Sequence, residues 1–189
     1  MTTTQNHPNV IESENSLIII IDFQENYRSV LHRGEQTIER ARILIEAASI
    51  MNIPVIYTEQ YPKGLGPTCS DILNALPKNS KRFEKGSCSI WKCTNLPEWV
   101  VGLGKKHVIV SGIETHVCVN QSVHDLINQG YTVHLPVDAL TSRSILEHEQ
   151  GLEKMFLSGA LPATVEQVLF ELVQTNENIH FHEIRQLIK

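Results

Sequence analysis

Ser16–Asp22 reads SLIIIID, an unbroken apolar run between a serine and an acid. Such a run, rich in β-branched residues and without alternation, predicts a strand buried on both faces. Shorter runs at Pro54–Thr58 (PVIYT) and Val108–Val110 repeat that signature, and Lys81–Glu84 reads as a further short strand. Between the strands the spacing turns helical. Ile38, Ala41, Ile45 and Ala48 share one face of a helix over about Gln36–Met51. Val119, Val123, Leu126 and Ile127 line a second helix, which stops at Gly130 and gives way directly to another strand. Val165, Val168, Leu169, Leu172 and Val173 line a third, opened by Thr164 and Gln167 at capping-box spacing. Further helices are predicted over Asp71–Ala75, Leu96–Leu103, Glu147–Ser158 and Asn178–Lys189, with Pro97 tolerated in a first turn. Glu59–Thr68 (EQYPKGLGPT) carries two prolines and two glycines and reads as a turn-rich loop.

Strands alternating with helices imply βαβ units with right-handed crossovers. The expected fold class is α/β, a three-layer α/β/α sandwich around a central parallel sheet. Residues 16–189 form a single domain in this reading, after a polar, flexible lead-in over 1–15. Sites in such sheets form at the carboxyl ends of the strands. Asp22, Glu59, Lys85 and the turn from Gly112 to Cys118 all fall there.

Composition narrows the function. With 189 residues and 41% hydrophobic content, the chain supports one sizeable core. A formal net charge of −5, without a run of Lys or Arg, argues against nucleic-acid and anionic-membrane partners. The longest apolar stretch, Leu17–Ile21, is too short to span a bilayer, and the polar start lacks the apolar segment of a secretory signal. Four cysteines in a chain of this size suit a reducing cytoplasm better than a disulfide framework. Cys88 and Cys93 have no second Cys or His pair at zinc-binding spacing, so no metal is expected.

Three residues carry candidate chemistry. If Thr115 is the N-cap, Cys118 is the third helical residue, beside free amides and the positive end of the dipole. A thiol there is pushed toward thiolate, the form that attacks carbonyls. The alternative is a small buried hydrophobe. Asp22 closes an apolar strand, where a carboxylate needs a partner; it reads either as a general base or as a salt-bridged strand end. Lys85 reads as a cation supporting Asp22 and a thiolate, or as a surface lysine.

The IDFQ context of Asp22, the KGSCS context of Lys85 and the SGIETHVCV context of Cys118 resemble the three signature regions of the isochorismatase-like cysteine hydrolases. The resemblance extends from about Leu17 to Val173. It implies a Rossmann-like topology, a catalytic triad of Asp22, Lys85 and Cys118, and an oxyanion hole from the N–H groups of Glu114 and Cys118. It also implies a cis peptide between Ile113 and Glu114. Nicotinamidases of this family place an Asp and two His after the second strand to bind a metal, whereas this chain has Glu59, Gln60 and Tyr61. Isochorismatases acting on a vinyl ether lack the cysteine. The EQYPKGLG loop instead resembles the isochorismatase domain-containing subgroup. The resemblance therefore implies a cofactor-free hydrolase of a small amide or related C–N substrate, or a silent relative acting as a binding or scaffold protein. Relatives assemble as dimers or higher homo-oligomers. Phe23, Gln24, Gln60, Tyr61 and Trp91 are the candidate pocket residues.

Overall fold

The computed structural model describes residues 6–189. Its first half runs β1 (Ser16–Ile21), α1 (Gly34–Ile50), β2 (Val55–Gln60), α2 (Pro62–Leu65), α3 (Ser70–Ala75), β3 (Lys81–Lys85) and α4 (Leu96–Gly102). The second half runs β4 (His107–Ile113), α5 (Asn120–Asn128), β5 (Thr132–Pro136), β6 (Leu140–Thr141), α6 (Ile145–Leu157), β7 (Leu161–Ala163), α7 (Val165–Val173) and α8 (Phe181–Gln186). The strands form one seven-stranded sheet in the order β3-β2-β1-β4-β5-β7, with β6 pairing onto the end of β4. Every pairing is parallel. Helices cover both faces, as the three-layer expectation requires.

The apolar run of β1 explains the middle of this sandwich. Its side chains alternate between two cores, because successive strand residues face opposite ways. Ile18 and Ile20 join α1, α3, α7 and α8 in one core; Leu17, Ile19 and Ile21 join α4, α5 and α6 in the other. All six residues of β1 and all seven of β4 are buried, since both strands lie inside the sheet. Edge strand β3 alternates instead, and the other edge, β7, accommodates Pro162, which cannot donate to a ladder. Thr164 and Gln167 form the reciprocal capping box at the start of α7.

Several expectations are corrected. Residues 1–5 of the lead-in lie outside the described residues, and within residues 6–15 the chain is anchored at Ile11. Ile11 is fully buried and donates its N–H to Glu171 of α7 at 2.9 Å. The C-terminal helix is confined to α8, because Asn178 accepts the His180 N–H and donates to the Val173 carbonyl, holding the chain in a turn. Ile184 sits in the core, and Phe181, Leu187 and Ile188 pack against it. Strand β4 runs three residues beyond its apolar run, because Gly112 and Ile113 pair with Leu140 and Thr141. That extension displaces the expected helix start.

Candidate functional site

Because the sheet is parallel, the ends of β1, β2, β3 and β4 open on one edge. Asp22 follows β1, Gln60 and Lys85 end β2 and β3, and Cys118 lies in the turn after β4. Asp22, Lys85 and Cys118 are only 2%, 4% and 7% exposed. Asp22 Oδ2 lies 2.6 Å from Lys85 Nζ. Its other oxygen accepts the Thr58 hydroxyl at 2.7 Å, while the Asp22 N–H donates to the Thr58 carbonyl at 3.1 Å. The aspartate backbone is left-handed, with φ 58, a conformation a non-glycine residue keeps only when its surroundings impose it. The ammonium donates along its own axes to Gln60 Oε1 at 2.7 Å and to the carbonyls of Ser87 and Cys88 at 3.3 and 3.2 Å.

The nucleophile turn differs from the expected helix start. Thr115 is not the cap. A π-helical turn, Thr115–Val119, precedes α5, and Glu114 occupies the capping position with φ 57 and ψ 57. π turns of this kind concentrate at functional sites. Thr115 is buried, its hydroxyl 2.9 Å from the Thr141 carbonyl and 2.9 Å from His148 Nδ1. The described backbone contains no cis peptide bond, so the Ile113–Glu114 link is trans, and the left-handed Glu114 makes the turn instead. Two glycines let the turn approach its neighbours. A Cβ on Gly112 would meet Ile21 Cβ and Val119 Cγ2 at 2.8 Å, and one on Gly151 of α6 would meet the His116 backbone at 2.9 Å.

Burial pushes the Cys118 thiol up to about 12, and the negative charge of Asp22 adds to that rise; Lys85 opposes it without cancelling it. Burial and Asp22 together thus favour the protonated thiol. The Asp22 carboxylate stands beside it as an acceptor.

Other candidates fall elsewhere. Glu59, placed at a strand end by sequence, accepts the Thr68 N–H and hydroxyl, both at 2.8 Å, and Arg82 at 2.5 Å. Burial raises its pKa, but the Thr68 amide and Arg82 outweigh burial and hold the carboxyl below its usual range. Glu59 therefore clasps the 61–68 loop. Among the five pocket candidates, Gln60 touches Lys85, and Gln24 is buried behind Gln60. Phe23 is a core residue, Tyr61 is 61% exposed, and Trp91 packs edge-on against Tyr131 with ring centroids 5.8 Å apart. Tyr27 escaped the sequence reading. Burial, then the charges of Glu114, Cys118 and Asp22, raise its phenol. Glu114 itself is gripped by Arg143 at 3.1 and 3.2 Å. A cavity of about 700 Å³ between α1 and α6 is lined by Thr141 and His148, both in contact with Thr115 of the turn, and by none of the three residues. Among the described residues, no group of three or more His, Cys, Asp or Glu is placed to share a metal ion.

Comparison with known proteins identifies the fold. The family described as Isochorismatase domain matches residues 16–167. Isochorismatase family protein 1A of Dictyostelium discoideum is 35% identical over 176 residues, covering 89% of this chain and 84% of that protein. The solved MAR1 ribonuclease of Caenorhabditis elegans superposes with a TM-score of 0.90 at 37% identity, covering 94% of this chain and 91% of that one. The YcaC gene product of Escherichia coli, described as an octameric hydrolase of unknown specificity, shares the fold at a TM-score of 0.86 and 21% identity, covering 98% of this chain and 97% of its own.

Proposed function

This chain belongs to the isochorismatase family, and from that premise we propose that it is a cysteine hydrolase of a small amide or related C–N substrate. The observation that carries the reading is the meeting of three buried groups at one sheet edge, with Asp22 and Lys85 2.6 Å apart beside the Cys118 sulfur. Asp22 takes the thiol proton as the sulfur attacks the substrate carbonyl. The oxyanion rests on the amides of Glu114, which caps the turn, and of Cys118 within it. Asp22 then passes its proton to the leaving nitrogen, and water, deprotonated by Asp22, releases the acyl group from sulfur. Lys85 pairs with Asp22 and steadies sulfur while it is negative. The resting thiol fits this order, in which the proton moves only with substrate in place. No metal or organic cofactor enters the cycle.

A panel of amides, carbamates and ureas tests the proposal. Wild type hydrolyses at least one, with an acyl adduct on Cys118 visible by mass spectrometry, and Cys118→Ala loses at least a thousandfold in turnover. Equal turnover by both proteins contradicts it. The second reading, a silent relative that binds a partner, is favoured by the same burial, which pushes the Cys118 thiol up to about 12. It predicts no adduct on any member of the panel. The name of the Caenorhabditis elegans relative places RNA in the panel as well, although the net charge of −5 offers little to a polyanion. We further propose a homo-oligomer, in keeping with the octameric relative, and a cytoplasmic setting, in keeping with four free thiols. No helix among the described residues is long and apolar enough to cross a membrane.

A further inference from the structure

We infer that Gln60 is a positioning residue that aims the Lys85 ammonium, and that Gln24 is the clamp that fixes Gln60. The inference rests on the cysteine-hydrolase reading of this site and adds two side chains to it.

The ammonium has three protons. Its well-directed hydrogen bonds run to Gln60 Oε1, Ser87 O and Cys88 O, and the shortest, 2.7 Å, is to Gln60. Asp22 Oδ2 lies closer still, at 2.6 Å, as the charged partner of the ion pair. The lysine head is thus held by three neutral oxygens as well as by Asp22, and Gln60 makes the shortest of the neutral contacts. An amide suits this role. It accepts a proton from the ammonium without adding a negative charge beside a sulfur that must become an anion.

The amide is fixed in its turn. Gln60 Nε2 donates to the Gly86 carbonyl at 3.0 Å, so Oε1 is the end presented to Lys85. The Gln60 backbone is held by the buried Gln24 side chain, which accepts its N–H at 2.8 Å and donates to its carbonyl at 3.1 Å. Gln24 also donates to the Gly66 carbonyl at 2.6 Å, tying the 61–68 loop to the same point. The parallel register sets Gln60 directly opposite Lys85 across β2 and β3. All these contacts join neutral amides and carbonyls to one cation.

The test is the rate at which acrylamide alkylates Cys118 in the full chain, followed by mass spectrometry, because it needs no known substrate. Wild type against Cys118→Ala tests the parent reading first, as an unreactive Cys118 contradicts that reading whatever Gln60 does. Gln60→Met then slows alkylation about three- to tenfold, and Gln60→Glu slows it about tenfold or more, since a carboxylate near the sulfur disfavours thiolate by a unit or more. In a Lys85→Met background, Gln60→Met has no further effect, because its influence passes through the lysine. Gln24→Met repeats the Gln60→Met loss in weaker form. The inference is overturned if Gln60→Met reacts at the wild-type rate, or if it loses the same factor with and without Lys85. Should Gln60→Met fail to fold, Gln60→Asn, which keeps the amide one methylene short, takes its place with the same outcomes.

Discussion

The sheet buries one polar pair at each end. At the amino end, His107 of β4 and His134 of β5 meet with Nδ1 and Nε2 3.0 Å apart. At the carboxyl end, Asp22 and Lys85 meet at 2.6 Å. Both pairs are nearly dry, yet they answer burial in opposite ways. The imidazoles give up charge: burial first, then the neighbouring His107, lowers His134 to about 4, and burial lowers His107 as well. A neutral ring can donate to another neutral ring, so nothing is left uncompensated. The carboxylate and the ammonium form an ion pair, each also hydrogen-bonded to neutral groups around it. Opposite charge within reach lets burial be tolerated without neutralisation. The proposed chemistry draws on the carboxyl end, where an acid and a cation stand together.

The largest break in that contrast comes from removing one charge at the carboxyl end. Lys85→Met strands a buried carboxylate, a loss of about 3–5 kcal/mol that lowers the melting temperature by roughly 10 °C. Lys85→Met combined with Asp22→Asn regains much of it. Unchanged melting of Lys85→Met would show that the pair is not electrostatically coupled.

Acid acts next, and at the other end. An unfolded chain protonates His134 near 6.5, whereas the folded protein resists until about 4. As pH falls through that interval the unfolded state binds the extra proton, so stability is complete above about 6.5 and declines toward 4. The loss attributable to His134 is about 2.5 kcal/mol by pH 4.5. Urea unfolding at pH 7 and pH 4.5 measures it. His134→Asn should lose correspondingly less on acidification, and an identical pH slope in both proteins would remove the histidine pair from the account.

The smallest effect on stability sharpens the comparison most at the reactive end. Gly151→Ala drives a methyl against the His116 backbone. It should cost about 1–3 kcal/mol, yet lower turnover by as much as about 100-fold through displacement of the nucleophile turn. Val173→Ala, in the core on the opposite face of the sheet, should match or exceed that destabilisation while leaving turnover nearly intact. Equal kinetic losses would mean that the turn merely reports global stability.

Much of this arrangement was legible in the residues themselves. The β1 run, the capping box at Thr164 and the helical stripe of α5 are local patterns, and a parallel sheet sends every strand end to one edge. Asp22, Lys85 and Cys118 could therefore be assigned a common edge before any coordinate was known. What escaped depends on register and on backbone torsions. Gln60 touches Lys85 because β2 and β3 pair in one particular alignment. Thr115 reads as a cap because threonine caps helices, but the continuation of β4 against β6 moves the turn and sends its hydroxyl to Thr141. The left-handed Glu114, where a cis bond was expected, is likewise set by tertiary packing. The raised thiol follows from burial depth, which spacing alone does not convey.

Asp22 has two roles in this account: it takes the thiol proton during turnover, and at rest its charge adds to burial in holding that proton on sulfur. Both are read from Asp22→Asn, by ultraviolet titration of the Cys118 thiol (each protein referenced to its Cys118→Ala form) alongside turnover of any substrate found. The account predicts a thiol that titrates at least one unit below wild type, with Lys85 now unopposed, in a protein that has lost hydrolysis. A variant that titrates no lower than wild type, or that still turns over at the wild-type rate, would contradict it.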